Sequence, residues 1–301
     1  MAKSSVNPFF QQTFKNFDES IVSTLQISHL TQKIQSYIRE IVGTTEALLG
    51  KNSINAVLLF GSASNMQNTK ISDVDLMVLV KDSIDRRRIK EISPILTGIV
   101  IKHRYRNYSN VWHAKILHII ERSTGMFCSY FITKMSSWNN NNFSKIFSTN
   151  LILTHLLAPH KIVLDSMKMG TTLLYQAKSG EIDLRSFQKK YTKSQLIKSL
   201  FLNLMMSIGT LFILPLNKKN SKYLLESIKW SIRCGDFYLN QEINSLSKIV
   251  EDYQNLGVNN QFLQKFLKYR KNLKEDLMFW IKVPYYILKI HLLTLKCKII
   301  F

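Results

Sequence analysis

Two short runs carry the residue types that phosphate and metal chemistry needs. The first is Leu59-Phe60-Gly61-Ser62, and the second, eleven positions beyond Ser62, is Asp73-Val74-Asp75. Residues 56–60 form an apolar run that ends on the Gly-Ser pair, as a buried strand does at a turn. Gly61 lacks a Cβ, so bare backbone there can approach a ligand closely. A helix beginning at that point would aim free N–H groups and its dipole at a phosphate, and the Ser62 hydroxyl adds a donor. On a strand, positions i and i+2 point to the same face, so Asp73 and Asp75 project together while Val74 enters the core. Two carboxylates held that close repel each other and need a cation. Mg²⁺ with nucleotide phosphates is the usual partner of such an oxygen pair. One strand end would then grip phosphate while its neighbour holds the metal bridging the same phosphates, an arrangement suited to phosphoryl-type transfer. Each run alone is ordinary, a plain turn or a capping acid. Their conjunction, with ten residues between Ser62 and Asp73, is the informative feature.

The elements that must position these residues follow from periodicity. Residues 17–49 carry apolar positions at helical spacing with Gly50 as a stop, so one or two helices precede the first strand. Residues 56–60 and 75–80 read as buried strands, 82–95 as a helix bearing Arg86, Arg87, Arg88 and Lys90, and 125–134 as a third strand. Beyond residue 143 the pattern is helical, through 146–157, 163–178, 196–214, 222–240 and 261–282, with breaks at 180–183 and 216–221. The expected fold class is α+β: an N-terminal mixed sheet flanked by helices, followed by an all-α C-terminal domain. The expected division is a helical segment over 1–50, the sheet domain over 51–140 and the helical domain over 141–301.

The segment resembles the signature of the DNA polymerase β-like nucleotidyltransferase superfamily, in which a hydrophobic residue and Gly-Gly or Gly-Ser precede Asp-hydrophobic-Asp-hydrophobic by about ten residues. Phe60-Gly61-Ser62 and Ser72-Asp73-Val74-Asp75-Leu76 match it. The Ser-Asp-x-Asp-Leu form is similar in particular to the minimal (MNT-like) nucleotidyltransferases and the kanamycin-nucleotidyltransferase group. The resemblance covers residues 45–135 by element order, and it implies transfer of a nucleoside monophosphate from an NTP to a hydroxyl with release of pyrophosphate. It also implies that Gly61 and Ser62 hold the triphosphate, and that Asp73 and Asp75 hold Mg²⁺ or Mn²⁺ and are the catalytic acids. Two positions depart from the pattern. Asn65-Met66 stands where many minimal members carry Arg-Gly, and the strand over 125–134 contains no third acid. Glu121, just before that strand, and Asp165 are the candidates for the missing carboxylate.

The whole chain sets the context. Its 301 residues, 46% hydrophobic, are enough for two domains with their own cores, which excludes a large disordered protein. Forty-one Lys and Arg against twenty Asp and Glu give a formal charge of +21, a field that attracts phosphate-rich partners. The excess is mostly lysine, in a chain also rich in Asn and Ile, so an AT-rich coding sequence explains it equally well, and arginine, the better phosphate fork, is scarce. Cys128, Cys234 and Cys297 are too far apart for a zinc site, and the seven histidines show no metal-ligand spacing. A reducing, cytoplasmic setting is expected. The basic and aromatic stretch over 102–108 reads as a solvated loop or a nucleotide contact. Residues 224–238, with Glu226, Lys229, Trp230 and Arg233, read as an amphipathic helix packing its aromatic side chains inward.

Two functions of different class follow. The first is an enzyme using an NTP and an unknown acceptor, whether a small molecule, a protein or an RNA. The second is a nucleotide-binding regulatory module, antitoxin-like, with a helical protein partner and little or no turnover. Membrane association through residues 199–216 or the basic, apolar stretch 285–301 is a weaker third reading, since the eighteen uncharged residues of 199–216 fit a buried helix better.

Overall fold

The computed structural model describes residues 21–61, 64, 74–105, 129–178, 180–185, 191–215 and 220–300. A four-stranded mixed sheet forms its first half. β1 (Ile54–Phe60) and β2 (Asp75–Val80) are antiparallel with Phe60 opposite Asp75, β3 (Tyr130–Lys134) lies parallel to β2, and β4 (Thr172–Gln176) runs antiparallel along the other side of β1. The strand order is β3-β2-β1-β4.

Helices cover both faces, so the central strands are continuously apolar over residues 56–60 and 76–80 rather than alternating. Val57 and Leu59 of β1 and Leu76, Val78 and Val80 of β2 pack under α1 (Gln32–Leu49) and α2 (Arg86–Lys102). Ala56, Leu58, Phe60, Met77 and Leu79 point the other way, into a core with Trp138, Phe143 and Leu164. That second layer is built by α3 (Met135–Asn139), α4 (Phe143–Ile146) and α6 (His160–Met169), with α5 (Leu151–Leu157) outside it. Leu58 and Leu59 are wholly buried, each contributing roughly 1.5–3 kcal/mol. By the same alternation Asp75 belongs to the face of Met77 and Leu79, at the rim where α6 comes down.

The second half is helical. α7 (Lys193–Ile213), α8 (Ser221–Asn240) and α11 (Leu277–Ile300) pack on one another, and α9 (Leu246–Asn255) and α10 (Asn260–Lys271) complete their core. α6 joins the halves: Leu164 and Met167 sit in the sheet core, while Ile162 packs with Cys234, Phe237 and Tyr238 of α8.

The α+β architecture and the helical second half are those expected, but four boundaries shift. The sheet takes β4 from residues 172–176, beyond the division expected near residue 140, and α1 is packed onto the sheet rather than forming a separate segment. The helix expected over 163–178 ends at Gly170, after which Thr172-Leu173-Leu174-Tyr175 pairs with β1. The helix expected over 261–282 is two helices, broken at residues 272–276.

Candidate functional site

β1 and β2 run antiparallel with Phe60 and Asp75 paired, so the end of one strand and the start of the next meet at one end of the sheet. Gly61 follows at φ 76°, and a Cβ built there would lie 2.3 Å from Asp75 Oδ2. The carboxylate therefore rests on the bare Cα of Gly61, a contact and a backbone conformation that glycine alone accommodates. Ser64 holds the departing chain: its hydroxyl donates to the Gly61 carbonyl at 2.8 Å, with the Gly170 carbonyl 3.1 Å away. Ser62, Asp73 and Glu121 lie outside the described residues.

Gly61 and Asp75 form one wall of a cleft whose opposite wall is α8 with part of α10. Phe60, Phe131, Phe143 and Phe147 give the cleft an apolar floor, the last two with ring centroids 4.5 Å apart. The far wall carries Lys229, Arg233 and Asp236 of α8 and Arg270 of α10, with Glu242 at its exposed margin. Beneath them Glu226 accepts from Arg270 Nη1 at 2.7 Å and from the Lys229 ammonium. Burial pushes the Glu226 carboxyl up, but the charges of Lys229 and Arg270 override it and hold the group at about 2. Burial pulls Lys229 and Arg233 below their usual ranges; for Arg233 the charge of Arg270 adds to this, while Glu226, Asp236 and Asp75 act against it. Asp75 is thus close enough to Arg233 for their charges to interact across the cleft. The Nε atoms of Arg233 and Arg270 are buried with no hydrogen-bond partner among the described residues. Cations this poorly hydrated need anions, and Glu226, Asp236 and Asp75 are the carboxylates that act on Arg233.

Asp75 lines the cleft as the sequence placed it, but the described candidate for a third carboxylate does not. Asp165 is buried on α6 and accepts from the Tyr191 hydroxyl at 2.6 Å; Val163, Ser166 and Met167 line the cleft, and Asp165 does not. β3 is free of acids, and its register sets Ser129 beside Asp75, with the Ser129 carbonyl accepting from Leu76 N–H and from the Tyr37 hydroxyl. Asp236 and Glu242 are cleft carboxylates instead. Asp236 accepts from the Asn240 and Asn244 side chains, and burial raises its carboxyl above the usual range.

The basic stretch 102–108 has other duties in its described part. Lys102 and His103 pair with Glu40, and Tyr105 packs on Tyr37 with centroids 4.8 Å apart. Sequence reasoning missed the roles of Lys229, Arg233 and Arg270. The signal for the first two was present: Glu226, Lys229, Arg233 and Asp236 recur at helical spacing and so share a face of α8.

Among described residues no group of three or more His, Cys, Asp or Glu gathers as a metal site. Asp75 is a half-exposed oxygen donor on the cleft, the ligand chemistry that a hard divalent cation takes.

Comparison with solved structures finds spectinomycin adenyltransferase AAD(9) from Enterococcus faecialis, crystallised with ATP and spectinomycin, at TM-score 0.48 and 11% identity over 85% of this chain and 98% of that one. No curated protein matches the chain. Residues 44–113, from the last turns of α1 through β1, β2 and α2, match the family described as Polymerase beta, Nucleotidyltransferase. Over residues 44–113 the sheet half of this chain accordingly carries a nucleotidyltransferase match of the DNA polymerase β-like superfamily.

Proposed function

We propose that the chain transfers a nucleoside monophosphate from an NTP to an acceptor hydroxyl and releases pyrophosphate. The observation that carries this reading is the polarity of the cleft: an acid poised on Gly61 faces Lys229, Arg233 and Arg270, two of which bury an unpartnered guanidinium nitrogen. Asp75, with Asp73 as the resemblance implies, would hold the divalent cation of a metal-bound triphosphate, and the arginines would take its phosphates. Mg²⁺ or Mn²⁺ bound there supplies charge neutralisation and orients the in-line displacement. The acceptor oxygen bonds to the α-phosphorus as the bond to the pyrophosphate oxygen breaks, and its proton passes to a carboxylate. Glu242 suits that last role, being exposed on the cleft, whereas Asp236 is already engaged by two asparagines.

Incubation with α-labelled NTP, Mg²⁺ or Mn²⁺ and a panel of hydroxylated small molecules, proteins and RNA should label an acceptor. Asp75→Ala and Arg233→Ala should each lower the rate at least a hundredfold, the range for removing a metal ligand or a charged phosphate contact. Nucleotide binding without label transfer to any acceptor would refute turnover. It would favour instead a nucleotide-binding regulatory module acting on a helical protein partner, a reading to which the acid-free β3 lends support.

A further inference from the structure

The helical half presents two helices that are apolar on both sides. The inner sides of α7 and α11 pack into the bundle through residues such as Leu196, Leu202, Val283 and Ile287. Their outer sides are exposed and no less apolar. On α7, Ile197, Phe201, Met205, Ile208 and Phe212 recur at helical spacing, with Phe212 79% exposed. On α11, Leu277, Ile281, Tyr285, Leu288 and Leu292 do the same. The two helices pack on each other as well as on α8, so the stripes run along neighbouring elements. Each spans fifteen residue steps, about 22 Å at the helical rise. α5, packed on α7, adds exposed Leu151, Ile152 and Leu156. Exposed apolar surface of this extent marks an interaction site.

Charge selects the occupant. Neither helix contains an acid. Lys282, Lys289 and Lys296 stand seven residues apart and so form a row, which on the helical wheel flanks the α11 stripe. Lys193 flanks the stripe of α7 in the same way, as does Lys198, whose ammonium donates to the His155 carbonyl. A second copy would bring the same lysines against these and carry the same +21 charge. A protein interface would also call for about one hydrogen bond per 100–200 Å². The Tyr285 hydroxyl is the one polar group among the ten side chains of the two stripes. Hydrocarbon needs no hydrogen bonds, and anionic headgroups match a lysine margin.

We propose that the outer face of α7 and α11 lies on an anionic lipid surface, with the stripes entering the acyl boundary and the lysines at headgroup level. α7 is long and apolar enough to span a bilayer, but 44% of its most apolar window is buried inside the bundle, so it rests on the surface with its inner side still in the core.

Sedimentation of the full chain with phosphatidylcholine vesicles, and with vesicles that also contain phosphatidylglycerol, tests this directly. The protein should pellet with the anionic vesicles, less so at high salt, and stay in solution with the neutral ones. Each lysine near such a surface is worth about fivefold in partitioning, so combined Lys282→Gln, Lys289→Gln and Lys296→Gln should weaken binding about 100-fold. Phe201→Ser with Phe212→Ser should also abolish it, with the circular dichroism spectrum and melting temperature retained because both side chains are exposed. Failure of the wild-type chain to pellet with anionic vesicles would overturn the proposal, as would undiminished binding by the lysine variant. A stable solution dimer that Phe212→Ser dissociates, without vesicle binding by the wild type, would assign the face to a second copy.

Discussion

Replacing Glu226 by Gln removes the one acid bonded to both Lys229 and Arg270, and protein stability and anion binding should then move in opposite directions. Folding lowers the Glu226 carboxyl from 4.5 to about 2, and at 1.36 kcal/mol per pH unit that displacement corresponds to about 3 kcal/mol. Because the folded-state value is the lower one, this stability is fully present above about pH 4.5 and is lost as pH falls toward 2. The wild-type melting temperature should therefore decline through that window. At neutral pH Glu226→Gln should lower it by roughly 5 °C, taking an unfolding entropy of about 2.1 cal/mol/K per residue over 301 residues. The variant should also lose part of the acid dependence.

The same change leaves three cations on the cleft wall without their main counter-charge. One negative charge about 8 Å from a phosphate, at an effective dielectric between about 20 and 80, opposes binding by roughly 0.5–2 kcal/mol. Glu226→Gln should therefore bind ATP about two- to thirtyfold more tightly, although the free protein is less stable. Thermal melts with and without ATP, at low and high salt, read both effects in one experiment. A variant that melts lower but gains no larger ATP-dependent shift would show that Lys229, Arg233 and Arg270 do not face the nucleotide, and the proposed orientation of the triphosphate would fall with it.

Two further outcomes follow. Gly61→Ala puts a Cβ where Asp75 Oδ2 now sits and places alanine at φ 76°, so it should cost roughly 1–2 kcal/mol in stability and, by moving the carboxylate, on the order of a hundredfold in turnover; wild-type activity would mean that Asp75 is not a ligand in the working complex. Glu242→Gln should lower kcat by about 10²–10⁴ while leaving NTP affinity unchanged, with loss of the acid limb of the pH–rate profile, and full retention of kcat would place the proton acceptor elsewhere.

How much of this was legible in the sequence depended on sequence separation. Gly61 and Asp75 lie fourteen residues apart on paired strands, so a local pattern captures their meeting. The partners of Asp75 across the cleft come from α8 and α10, more than 150 residues on, and no local rule joins them. The charged face of α8 was visible as an amphipathic pattern, but amphipathicity says only that a face is polar, not whether water or another domain lies opposite. β4 was hidden for another reason. Five residues that follow a helix after two intervening positions give too short a run to separate a strand from a continuing helix, and only pairing with β1 decides it.

Composition has the same limit until charges are placed. Arginine is scarce here, and the lysine excess alone did not distinguish a phosphate site from a compositional accident. The fold puts Arg233 and Arg270 together on the wall facing Asp75, with Arg270 only 4% exposed. A guanidinium tolerates such drying better than an ammonium because it is more weakly hydrated and keeps its charge, and its fork matches phosphate oxygens in pairs. The lysines of α7 and α11 occupy the opposite circumstance, on flexible stems beside exposed apolar stripes, where a strongly hydrated charge can stay in water while its stem covers hydrocarbon. On the two proposals made above, the buried guanidiniums, with Lys229 beside them, would serve a nucleotide and the exposed lysines a surface.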